Sequence, residues 1–103
     1  MDKSVFERST GVAFGSDKGM FFRQLAIKSL QAFQDDARQN CFSNKVLAHR
    51  LKGIVSTCGA DNAVNVCKKI ELYDEIMNKH RTKVIFVRLA AQIICELKHN
   101  SEE

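Results

Sequence analysis

A chain of 103 residues, 45% of them apolar, can bury one modest core and is too short for two domains of ordinary size, so we expect a single domain over residues 1–103 with its core at about 14–98. Sixteen Lys and Arg against twelve Asp and Glu leave a formal charge of +4; the basic residues are interleaved with acids from Lys3 to Lys98, which describes a solvated outer face better than a phosphate-tracking stripe, and no nucleic-acid partner is expected. Apolar runs span only a few residues, and Met1-Asp2-Lys3-Ser4 opens no hydrophobic signal core, so the expectation is a cytoplasmic monomer without membrane contact.

In chain order, the first sixteen or so residues predict a short helical turn around Val5 and Phe6, then a loop through Gly11 and Gly15 that covers one end of the molecule. Ser16 or Asp17 can cap a long helix running to about Gln39, with Phe22, Leu25, Ala26, Ser29 and Phe33 on one stripe, widened by Phe21 and Leu30. Ser43 is the expected N-cap of a second long helix that reaches about Cys58 and ends at Gly59 in a left-handed C-cap. Its apolar stripe is Leu47, Leu51, Ile54 and Cys58. A further helix from about Asp61 to Met77 turns Val66, Cys67, Ile70, Tyr73 and Met77 inward. A polar break from Asn78 to Thr82 precedes a last helix that buries Phe86, Leu89, Ile93 and Leu97. With no Pro to interrupt them and short connections between them, these elements predict an all-α protein, an antiparallel four-helix bundle with the short N-terminal segment over one end. Cys41, Cys58, Cys67 and Cys95 contain no C-x-x-C pair and no metal-ligand spacing, so buried, reduced thiols and no bound metal are expected.

The residues that carry chemistry lie in the second long helix. His49 falls off its apolar stripe, and Lys45, Lys52, Gly53 and Ser56 share its face. A neutral imidazole can attack phosphorus and hold the phosphoryl group covalently, while an ammonium one turn away offsets charge on the phosphoryl oxygens. Glycine inside a helix costs about 1 kcal/mol against alanine, so Gly53 points to a close approach by a neighbouring helix or by a partner. Arg50 and Ser56 flank the position and, with Lys45, read as docking surface. His80 and His99 lack the lysine and glycine neighbours and read as exposed and uninvolved.

The stretch Ala48-His49-Arg50-Leu51-Lys52-Gly53-Ile54-Val55-Ser56-Thr57-Cys58-Gly59-Ala60 resembles the signature of histidine-containing phosphotransfer (HPt) domains: His, any residue, Leu, Lys, Gly, then five residues and Gly. Val66-Cys67-Lys68-Lys69-Ile70-Glu71 resembles the helix that follows in many members. Ile54, where a small residue is usual, and Cys58, where Leu is common, depart from the pattern. The resemblance implies a phosphorelay intermediate that is not itself an enzyme. His49 would take a phosphoryl group from the aspartyl phosphate of a receiver domain on a hybrid sensor kinase and pass it to the receiver of a response regulator. Lys52 would stabilise the phosphoryl group, Gly53 would admit the partner, and Mg²⁺ would sit on the partner receiver. The alternatives are the phosphate-accepting domain of a chemotaxis-type histidine kinase and a basic helical nucleic-acid-binding module.

Overall fold

Local sequence sets the helix boundaries. The computed structural model describes residues 3–39 and 41–98. They form α1 (Lys3–Thr10), α2 (Asp17–Arg38), α3 (Asn44–Thr57), α4 (Asp61–Tyr73), a single 3₁₀ turn (Asp74–Ile76) and α5 (Lys79–Lys98), with no strand among the described residues. The Ser16 hydroxyl accepts from the Gly19 amide at 3.0 Å and starts α2; Ser43 does the same for Val46 at 3.2 Å and starts α3. Residues 79–82 of the expected polar break belong to the last helix, and Asn78 caps it. Its side-chain oxygen accepts from the Arg81 amide at 2.9 Å, α5 begins at Lys79, and Thr82 is buried with its hydroxyl on the Asn78 carbonyl.

Between α3 and α4 the chain reverses in three residues. The Ala60 amide donates to Val55 and the Gly59 amide to Ser56, the pair of bonds that closes a helix with a left-handed residue, and Gly59 has φ +78°. α1 seals this turn. Ser9 donates its hydroxyl toward the carbonyls of Thr57 (2.9 Å) and Ser56 (3.2 Å), and a Cβ on Gly59 would lie 2.8 Å from both the carbonyl oxygen and a methyl of Val5.

The core is one cluster drawn from all five helices, centred on Phe6, Leu30, Phe33, Leu47, Leu51, Val55, Phe86 and Leu97. α2 packs along α5 and α3 along α4, with α3 also meeting α2 and α5. Phe33 and Phe86 meet edge to face at 5.7 Å, as do Phe6 and Phe14 at 5.1 Å. The inward stripe of α2 differs from the expected one. It runs through Arg23, Ala26, Leu30, Phe33 and Ala37, while Phe21, Leu25 and Ser29 are exposed and Phe22 is half-buried. The stripe includes Arg23, a charged residue on the buried side. Its guanidinium stacks 4.2 Å from the Phe14 ring, donates to the carbonyls of Phe14 (3.1 Å) and Leu97 (2.7 Å), and so ties the N-terminal loop to the end of α5.

On α4, Cys67 and Ile70 are buried and Val66 is half-buried, but Tyr73 is exposed, because the helix ends there and gives way to the 3₁₀ turn. On α3, Leu47, Leu51 and Cys58 are buried as expected, with Ala48 and Val55 beside them and Ile54 only half-buried. Two of the four thiols, Cys58 and Cys67, are buried; Cys41 and Cys95 are exposed, contrary to expectation, and all four are free.

The two left-handed glycines separate backbone strain from contact. Gly59→Ala should cost about 2–4 kcal/mol, left-handed strain plus collision with Val5. Gly11→Ala, at φ +77° with open space around it, should cost only about 1–2 kcal/mol. Denaturant unfolding of the two variants measures the difference, and equal losses would mean that α1 yields freely at this turn.

Candidate functional site

The short turn lays α3 and α4 side by side and fixes which residues meet. Glu71 is the eleventh residue of α4 and His49 the ninth from the end of α3, about 15 Å and 12 Å along their helices from the turn at 1.5 Å per residue. At that level one carboxylate serves two partners. Glu71 Oε2 lies 3.2 Å from His49 Nδ1, and Glu71 Oε1 lies 2.6 Å from Lys52 Nζ. Spacing within α3 brought out His49 and Lys52; Glu71, the residue that connects them, comes from the neighbouring helix and was noted only as part of the stretch that follows the signature.

The three side chains differ in exposure in a way that matters chemically. His49 is 75% exposed, while Lys52 and Glu71 retain 28% and 22%. The Lys52 hydrogen bond, with a smaller contribution from His49, holds the Glu71 carboxyl below its ordinary value against the opposing effect of burial. An ionised carboxylate only accepts, so the proton on the neighbouring ring nitrogen belongs to His49 Nδ1. In the neutral imidazole the lone pair is then on Nε2, the nitrogen left free for an incoming reagent. The arrangement is an exposed imidazole with a fixed tautomer, an ammonium on the same carboxylate and solvent in front.

Gly53 faces open space, since a Cβ there would meet nothing within 4 Å. No neighbouring helix packs against this position, so close helix approach does not account for the glycine. Thr57 and Ser56 both donate hydroxyls toward the Gly53 carbonyl, at 2.9 and 3.3 Å. Beside it, Phe22, Leu25, Ile54 and Thr57 line an apolar groove of about 380 Å³ between α2 and α3, which explains where the outward-facing residues of α2 lead.

The remaining expected site residues take different places. Lys45 and Ser56 are exposed. Arg50 is half-buried and engaged, 2.9 Å from Asp36 of α2 with its guanidinium 5.4 Å from the Phe42 ring, so it braces α3 against α2 at the edge of the groove. His80 is exposed in the first turn of α5, and His99 lies outside the described residues. Among the described residues no three His, Cys, Asp or Glu converge as a metal site would require, and no helix is long and apolar enough to cross a membrane. No family model, curated protein or solved structure matches the chain.

A carboxyl held down by a lysine stabilises the fold above its unfolded value and loses that contribution as pH falls through its lower folded value. Carboxyl-carbon NMR should therefore place the Glu71 midpoint below that of a free glutamate. Lys52→Met should raise it, and by more than His49→Gln does. An unmoved midpoint in Lys52→Met would show that the 2.6 Å contact does not persist in solution.

Proposed function

We propose that this chain is a histidine phosphotransfer domain of a two-component phosphorelay. It receives a phosphoryl group on His49 from the receiver of a hybrid sensor kinase and delivers it to the receiver of a response regulator. The observation that carries the reading is the His49 ring, 3.2 Å from Glu71 at Nδ1 and exposed to solvent, with Lys52 on the same carboxylate. Pairing of α2 with α5 and of α3 with α4 favours an antiparallel four-helix bundle with α1 over the α3–α4 turn.

The chemistry follows from the tautomer. The Nε2 lone pair attacks the phosphorus of the receiver's aspartyl phosphate; the P–N bond forms as the P–O bond breaks, and the aspartate carboxylate leaves with the electron pair. The ring becomes cationic, and its Nδ1–H remains on Glu71, whose negative charge offsets the one gained. Lys52 has three donors. One is held by Glu71, and the others are available to the phosphoryl oxygens. Transfer onward is the same step reversed on a second aspartate. The partner receiver supplies Mg²⁺ and its acidic ligands. The open side of Gly53 admits the partner's loops, and the apolar groove beside it gives their apolar residues a seat. Such a domain works as a cytoplasmic monomer and needs no nucleotide of its own.

His49→Gln should abolish labelling by a phospho-receiver and shift stability by no more than about 0.5 kcal/mol, as an exposed substitution does; labelling that persists on His80 would overturn the assignment. Labelling of the wild type only by a kinase with ATP, never by a phospho-receiver, would select the chemotaxis-type alternative.

In single-turnover transfer, Lys52→Ala should slow the reaction roughly tenfold, about 1.4 kcal/mol, because the site is wet and its carboxylate is then uncompensated. Lys52→Arg should restore part of the rate, and so should Glu71→Gln placed on Lys52→Ala. A folded Gly53→Gln should transfer slowly while keeping its helicity. Wild-type rates in Lys52→Ala would leave His49 as nucleophile without electrostatic help.

A further inference from the structure

A second groove, of about 400 Å³, lies between the C-terminal half of α2 and the N-terminal half of α5. Arg38, His80, Lys83 and Arg88 stand around it, and Val84 and Val87 are part of its wall. It takes no residue from α3 or α4, the helices that hold His49, Lys52 and Glu71.

Among the described residues most of its charge is uncompensated. No Asp or Glu occurs between Ile76 and Glu96. Among the described residues Lys83 and Arg88 form no ion pair: Lys83 reaches only the Phe42 carbonyl at 3.4 Å, and Arg38 alone has a carboxylate, Asp35 of its own helix at 3.6 Å. The first turn of α5 carries Lys79, His80 and Arg81 and no acid, placing positive charge at the positive end of the helix dipole, where it is unfavourable. An external anion would relieve all of these at once.

We infer that this groove docks an acidic, amphipathic segment of a protein partner, its carboxylates on Arg38, Lys83 and Arg88 and its apolar side chains on Val84 and Val87. Two observations select that occupant. Val84 is exposed and Val87 half-buried between the cations, giving an apolar centre with a charged rim, as protein interfaces have; a phosphate backbone has no use for that centre. The groove is also shallow, since Arg38, His80, Lys83 and Arg88 around it are exposed or half-buried, so it cannot enclose a small anion on most sides as a ligand pocket does. Because it is separate from the His49 face, its occupant can remain bound while a receiver exchanges phosphate.

The test is a random peptide library displayed on phage, selected on the whole protein and counter-selected on the Lys83→Glu/Arg88→Glu variant, with Lys83→Gln/Arg88→Gln in its place if the double reversal lowers helicity. Enriched peptides should combine Asp or Glu with apolar residues three and four apart. The best one, synthesised, should shift the amide signals of Arg38, Lys83, Val87 and Arg88 and bind the variant roughly tenfold or more weakly. No variant-sensitive peptides, enriched peptides without acids, or shifts confined to α3 and α4 would overturn the inference. So would short single-stranded or duplex DNA that displaces the peptide at near-physiological salt, which would give the groove to nucleic acid.

Discussion

Everything at the His49 face depends on the three-residue reversal between α3 and α4. Because Cys58, Gly59 and Ala60 leave no slack, the two helices must run back along each other, and their register decides which residues meet. Glu71 thereby reaches both His49 and Lys52, twenty-two and nineteen residues away in sequence. A longer connection would let the helices slide, and a slide of one residue rotates Glu71 about 100° away from the pair. Val5 and Ser9 of α1 close on the same turn. The N-terminal helix therefore acts on the site at a distance, by holding the hinge that sets the register.

The electrostatics of the site is a balance among three groups. Lys52 without Glu71 would be a mobile surface cation, and Glu71 without Lys52 would be a half-buried carboxylate with no ammonium to offset it. Paired, they are nearly neutral to an approaching anion, and the ammonium is already ordered, so less conformational entropy is lost when it turns to a new oxygen. Of the two, the lysine also does most to keep the carboxylate ionised, and an ionised carboxylate keeps the His49 proton on Nδ1. Lys52 is thereby coupled to the His49 ring through the carboxylate they share.

What could be read from the sequence was what short-range chemistry decides. Ser16, Ser43 and Gly59 mark helix ends because capping needs only a neighbour three or four residues away, and His49 is exposed because periodicity sets the faces of α3. The misread elements are those where a distant group decides. Arg23 carries no apolar signal, yet it is buried because the Phe14 ring and the Leu97 carbonyl, distant in sequence, receive its guanidinium. Tyr73 fits the apolar period of α4, yet the helix stops there. Asn78 and Thr82 look like a polar gap, but one is a cap and the other is buried against it. Glu71 carries no local signal of its role, since a glutamate on an outward helix face is the commonest thing a helix can have.

The cysteines give the molecule a built-in clock. Burial pushes the Cys58 and Cys67 thiols up to about 11, helped at Cys67 by the Glu71 charge, so near pH 7 only about one molecule in ten thousand carries either as the reactive thiolate. Cys41 and Cys95, at the surface, are consumed first by any alkylating reagent. Cys58 borders the groove between α2 and α3 and Cys67 lies on α4, so the slower phase that follows reads openings of the core around these two sulfurs, with no label beyond the sulfur already in place.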